Sequence, residues 1–306
     1  MEYHFQLHEE VPTAVHRIAL KQVELAIHEA HDESMDRHEA IHRIRKRCKK
    51  QRALLRLVRG SLKDRFEEEN AFYRDLSRRL SSLRDAQALL EAFDRIVERF
   101  PEESADHRFQ SIRDLLEIQR RDETGGEQDL VAISNSISQE LEAAAERIPQ
   151  WELEGEGFDA ISGGLVRTYR RARRGLEQAT NDPTEEVLHE WRKRVKYHWY
   201  HTRLLRKFSS RLLRPHRQIG KELGTILGQD HDLAVLRSKL GEASSSLDAN
   251  VLGRFLTLTK MYQKELQAKS IEQGQHLLAE EPSRLAARWR TYWKASVVSR
   301  DKLKGA

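Results

Sequence analysis

The 306-residue sequence contains a single cysteine, Cys48, which excludes an internal disulfide framework and any CxxC metal site. Cys48 falls on one helical stripe with Ile41, Ile44, Leu55 and Val58, so it is expected to be buried and inert. Only 6 prolines interrupt the chain, and runs of strand-type alternation are absent, which argues against a β fold. No stretch of 18 apolar residues occurs, nor an N-terminal apolar segment of the secretory kind. A cytoplasmic, soluble protein with no membrane partner is the expectation. Aromatic residues make up only 7% of the chain, a scarcity that bears on the ligand.

Charge is abundant, at 34% of residues, yet the net charge is only +5. Its distribution is uneven. Residues 37–59, 167–174 and 189–217 hold 25 of the 54 Lys and Arg, with Glu39 and Glu190 as their only acids. The remainder carries 29 basic against 47 acidic residues. Positive charge concentrated on an otherwise acidic chain points to a local polyanion site.

Apolar residues recur at three- and four-residue spacing almost throughout, which predicts an all-α protein. The periodicity places helices at 11–31, 36–59, 62–83, 86–99, 104–121 and 129–147. In the second half it places them at 158–179, 184–208, 212–227, 230–241, 246–279 and 283–298. Pro101 and Pro282 suit the first turn of a helix, and Asp182-Pro183-Thr184-Glu185 supplies a cap and acids at a helix start. Asp122 to Asp129 is Gly-rich and is predicted to form an exposed turn. The stretch from Pro149 to Gly157 separates two halves, 11–148 and 158–300.

The halves are copies. An offset of 147 carries His42 to His189, Arg45 to Arg192, Lys49 to Lys196, Arg56 to Arg203 and Arg59 to Arg206. The same offset carries Leu80 to Leu227, Asp85 to Asp232 and Leu89 to Leu236. Upstream it becomes 149, aligning Lys21 with Arg170 and Ala30 with Ala179. A two-residue change in one loop explains the shift. The expected architecture is two pseudo-symmetric four-helix bundles forming one domain.

On a helical wheel His42, Arg45, Lys49, Arg52, Arg56 and Arg59 share a sector of about 100°. The apolar stripe adjoins it. His189, Arg192, Lys196, Arg203 and Arg206 behave alike beside Leu188, Trp191, Val195 and Leu205, with Lys193 in the same run. Arg167, Arg170, Arg171 and Arg174 form a third row at i, i+3, i+4, i+7 spacing, and Arg17 and Lys21 a thinner equivalent. Solvated helix faces usually mix signs, because like charges one turn apart repel. Rows of one sign are expected where an external anion offsets that repulsion.

Arg offers bidentate donors to phosphate oxygens and Lys a point charge. A row of about 25 Å exceeds what a single phosphate needs. It suits polyphosphate or a nucleic-acid backbone. Sites for single-stranded nucleic acid intersperse aromatic stacking platforms; only Trp199 and Tyr200 lie near the second row and none on the first. That tilts the reading toward a ligand without bases. No cofactor is implied.

The paired His-x-x-Arg-x-x-x-Lys at 42–49 and 189–196, and the run from Leu188 to Lys196, resemble the CHAD family (conserved histidine α-helical domain). So do the Arg167-Thr168-Tyr169-Arg170-Arg171-Ala172-Arg173 run and Leu-x-x-x-x-Asp at 80–85 and 227–232. The likeness spans roughly 11–300, with Arg17 and Lys21 sparse beside the second half. It implies two bundles about a pseudo-two-fold axis and binding of inorganic polyphosphate in a basic groove or channel, with association with polyphosphate granules. By motif position it implies contacts from His42, Arg45, Lys49, Arg52 and Arg56. In the second half it implies Arg167, Arg170, Arg171, Arg174, His189, Arg192, Lys193, Lys196 and Arg203. Some members are fused to a triphosphate-processing domain marked by an alternating-Glu strand, which this sequence lacks; a stand-alone, non-enzymatic member is expected.

Two alternatives come from other classes. One is a nucleic-acid-binding helical protein. The other is a di-iron or phosphate-processing bundle, suggested by Glu39-x-x-His42 and Glu186-x-x-His189. The iron reading sets a metal cation beside a dense row of Arg and Lys, which would repel it. Asp85 and Asp232 are assigned to capping or orienting basic residues rather than to metal.

Overall fold

The computed structural model describes residues 3–7, 9–80, 82–105, 107–123 and 127–304, with side chains described outside 82–85, 122–130 and 298–304. Among these residues it contains eleven α-helices and no strand. The first half supplies α1 (Val11–His31), α2 (Arg37–Leu57), α3 (Arg65–Arg79), α4 (Ser82–Arg99), α5 (Gln110–Glu123) and α6 (Glu127–Arg147). The second supplies α7 (Asp159–Asn181), α8 (Glu185–Leu204), α9 (Ser210–Glu242), α10 (Ala249–Leu277) and α11 (Pro282–Lys304).

Local chemistry sets the ends. Asp36 caps α2 by accepting from the Glu39 amide at 3.0 Å, and Thr184 caps α8 from the Val187 amide at 3.3 Å. Pro282 opens α11, where its missing N–H costs nothing. Pro101 does not open a helix: it lies in the turn after α4, and α5 starts only at Gln110. Between the halves, Gly155 and Gly157 take positive φ (84° and 50°) in the irregular segment before α7. The proposed turn from Asp122 to Asp129 lies partly outside the described residues.

The sequence pattern separates 212–227 from 230–241, yet the structure runs both into one helix, α9. In the first half the equivalent helices do part, after α3. There Arg45 Nη1 donates to the Leu80 carbonyl at 2.8 Å. In the second half the helix continues, and Arg192, the repeat mate of Arg45, lies across Gly228 instead. A Cβ on Gly228 would stand 3.4 Å from Arg192 Nε. The glycine's propensity cost of about 1 kcal/mol is offset by the seating of α8 on α9.

Neighbours repeat across the halves: α1 with α2 and α6 matches α7 with α8 and α11, and α2 with α3 matches α8 with α9. The apolar clusters do not divide the same way. One draws on α1, α2, α3, α6, α7, α8, α11 and the first half of α9. The other joins α4 and α5 to the second half of α9 and to α10, with Phe93 stacked on Phe255 at 5.3 Å. Each core therefore needs both copies of the duplicated sequence, which holds the basic helices of the two halves against each other.

The duplicated core also carries matched polar pairs. In the first half Gln51 and Glu69 are buried, with Glu69 paired to Arg147 at 3.0 Å. Their repeat mates are His198 and His216, whose Nε2 atoms meet at 2.7 Å, so one ring must donate and the other accept. His201 Nε2 donates to the Ala53 carbonyl at 2.9 Å, tying α8 to α2. Burial depresses all three imidazoles: His201 to about 3 and His216 to about 4, with His198 well below the usual 6.5. The unfolded chain then binds more protons than the native one below pH 6.5. Their contribution to stability is complete above that pH and is lost as it falls toward 4. Asp230, raised to about 6 by burial, opposes this between pH 6 and 4, but three histidines outweigh it. Thermal melts at pH 7.5 and pH 5 should show a clear fall in Tm, and an unchanged Tm would contradict the buried-imidazole account.

Candidate anion-binding site

α7 reaches the end of α2 very closely, and Gly164 makes that approach feasible. A Cβ at Gly164 would lie 2.0 Å from the Leu57 carbonyl oxygen and 2.4 Å from that of Arg56. The contact brings the end of the first basic row against the third, with α8 beside both.

The result is a notch lined by Arg56 and Arg59 from α2 and its end, Arg167 and Arg171 from α7, and Arg194 and Tyr197 from α8. Its cavity volume is about 10 Å³, room for roughly one water, so an anion would lie over it rather than sink into it. The Arg56 guanidinium sits 4.4 Å from the Tyr197 ring centroid, and Arg59 sits 4.4 Å from that of Phe66. Aromatic faces thus hold the cations in place. Arg171 and Arg194 are pushed below the usual arginine range, first by burial and then by neighbouring arginines. Carboxylates are sparse here: Glu67 pairs with Arg59 at 2.5 Å and Glu190 with Arg194 at 3.0 Å.

A second cluster follows on α8 and α9. His189 and His231 lie against each other, tilted, with ring centroids 4.1 Å apart. Burial and adjacent cations hold them neutral, at about 4 and about 3. Lys193 and Arg192 act on both rings and Lys49 on His231. Lys196 follows, lowered to about 8 by burial and then by Arg192, with Lys221 and Lys46 adding to the repulsion. Its side chain lies along Gly224 and over Trp199, 5.1 Å from the ring.

The predicted residues therefore divide. Arg56, Arg167 and Arg171 meet in the notch, and Lys49, His189, Arg192, Lys193 and Lys196 in the second cluster. Arg45 bonds to Leu80 at the end of α3, and Arg52 lies between Asn70 of α3, at 3.3 Å, and the Tyr197 ring, 5.9 Å from its centroid. Arg203 lies over Tyr3, Trp199 and Tyr200, and His42 and Arg206 are half-buried. The third row splits: Arg170 and Arg174 line a different depression with Arg173 and Glu281. Arg17 and Lys21 also stand apart. Arg17 is held by Glu9 and by the His4 carbonyl at 3.0 Å, and Lys21 pairs with Glu24 at 2.9 Å. Both line an open depression of about 660 Å³ on α1.

Sequence reasoning missed Arg194, Tyr197 and His231, which the geometry places in these two clusters. Arg194 falls off the wheel sector of its own row and becomes part of the site only because α7 packs on that side of α8. His231 had a signal: it precedes Asp232, the repeat mate of Asp85. Asp232 pairs with Arg95 at 3.2 Å and also acts on Lys196, so it does orient basic residues; the Asp85 side chain lies outside the described residues. Glu39, half of the iron motif, holds Arg43 at 2.7 Å. Among the described residues no three His, Cys, Asp or Glu side chains converge as a metal site. Cys48 is buried, its thiol pushed up to about 12. No helix of the described chain is long and apolar enough to cross a membrane.

Fold and side-chain placement together define an all-helical protein in which basic helices from both halves of the sequence meet. A family model described as CHAD domain matches residues 19–241, most of the chain, and the protein belongs to that family, which is associated with polyphosphate binding. The match covers α2 through nearly all of α9, a shorter span than the 11–300 expected from the motifs. No curated protein matches the chain.

Proposed function

We propose that this protein binds inorganic polyphosphate, without catalysis, along a track running from the arginine notch to the His189–His231 cluster. The observation that carries the reading is the notch itself. Five arginines, from α2 and the turn after it, α7 and α8, line one notch with few carboxylates to offset them. Such crowding destabilises the free protein and favours any ligand that brings closely repeated negative charge. The two halves act as pseudo-two-fold-related bundles in this reading, each lending its basic helix to the track. A cytoplasmic protein associated with polyphosphate granules is the corresponding cellular picture.

The aromatic rings favour polyphosphate over nucleic acid. Tyr197 and Trp199 have cations lying over their faces, so these rings do not offer bases an open platform for stacking. In a competition assay polyphosphate should displace a labelled polyphosphate probe, while single-stranded DNA of equal charge competes poorly. Equal competition by DNA would favour the nucleic-acid reading instead. If the notch alone neutralises five charges, a plot of log affinity against log salt should have a slope of about −3 or steeper. A flat response would contradict multi-phosphate contact.

A further inference from the structure

One carboxylate stands between the two cationic clusters. Glu190 pairs with Lys193 at 2.5 Å and with Arg194 at 3.0 Å. Lys193 belongs to the His189 cluster and Arg194 to the notch, so one side chain bridges the halves of the track. Its charge also acts on Arg171 across the α7–α8 contact. The repeat makes the choice conspicuous: the first-half mate of Glu190 is Arg43, a cation. The α8 copy has an acid inside its own basic run, and that acid is half exposed, at 46% of its side chain, within reach of an incoming anion.

We propose that Glu190 is an internal counter-anion that occupies the middle of the track and sets its selectivity for long chains over short phosphates. The inference rests on the polyphosphate reading. A tethered carboxylate competes at an effective concentration in the millimolar range or higher. An orthophosphate or a short oligophosphate must displace it with few contacts of its own. A long chain engages the notch and the His189 cluster together and displaces Glu190 as one step among many. Glu190 therefore weakens short ligands more than long ones.

The test compares Glu190→Gln with the unmodified protein by calorimetric titration of sodium tripolyphosphate and of long-chain polyphosphate. Glu272→Gln, an exposed position on α10, controls for net charge. Glu190→Gln should tighten tripolyphosphate by about tenfold and long chains by about threefold, narrowing the preference. Without ligand it should also melt at a lower temperature, because the arginines lose their counter-charge. If the unmodified protein binds both ligands and Glu190→Gln leaves their ratio unchanged, or weakens both, the counter-anion role is wrong. A tightening equal to that of Glu272→Gln would overturn it as well. If the unmodified protein binds neither ligand, the polyphosphate reading itself fails.

Discussion

Arg56→Glu combined with Arg171→Glu should reduce polyphosphate affinity by at least about a hundredfold while helix content stays unchanged. The two side chains come from different halves and meet across the α2–α7 contact, so the pair removes two cations and adds two repelling charges at one place. Neither makes an ion pair that the fold depends on: Arg56 lies over Tyr197 and Phe66, and Arg171 is depressed by burial and neighbouring cations. A milder change separates binding from stability. Arg171→Met keeps the aliphatic packing and removes a charge that its neighbours oppose, so it should raise the Tm of the ligand-free protein while weakening polyphosphate. That opposition between stability and affinity is expected where repulsion is stored at a binding site. Circular dichroism melts with and without polyphosphate would detect it, and a lower ligand-free Tm for Arg171→Met would contradict the stored-repulsion account.

Gly164→Val should damage both fold and site. The new Cβ would fall 2.0 Å from the Leu57 carbonyl oxygen. The obstacle is backbone of a neighbouring helix, not the end of a flexible side chain, so α7 must move away from α2. Overpacking of this kind costs about 3 kcal/mol or more. The shift would also carry Arg167 and Arg171 away from Arg56 and Arg59, so affinity falls even in the fraction that folds. Gly163→Val is the control, because a Cβ at Gly163 meets nothing within 4 Å. Similar losses from both variants would show that the effect is helix propensity rather than the close approach.

Much of the fold was legible because the repeat holds one register and helix periodicity is strong. The extent of α1 follows from apolar periodicity and the cap at Thr184 from local chemistry. The continuity of α9 does not, since Gly228 resembles a break unless Arg192 is known to lie across it. The site was legible as a set of rows but not as a place. A helical wheel orders residues about one axis and cannot say which neighbouring helix covers which sector. Hence the wheel groups Arg45 and Arg52 with their row without showing that α3 and its end engage them, and leaves out Arg194, which lies beside Arg171 of α7. The split of Arg167 and Arg171 from Arg170 and Arg174 has the same cause: α7 lies between two different surroundings.

The most direct test of the central claim is the thermal shift of the protein with polyphosphates of increasing chain length, with single-stranded DNA and ATP as controls. A ligand that binds only the native state raises Tm by mass action. The shift should grow with chain length until the notch and the His189 cluster are both spanned and then level off, with small shifts for DNA and ATP. A shift that is absent, or equal for polyphosphate, DNA and ATP at matched charge, would contradict a dedicated polyphosphate track.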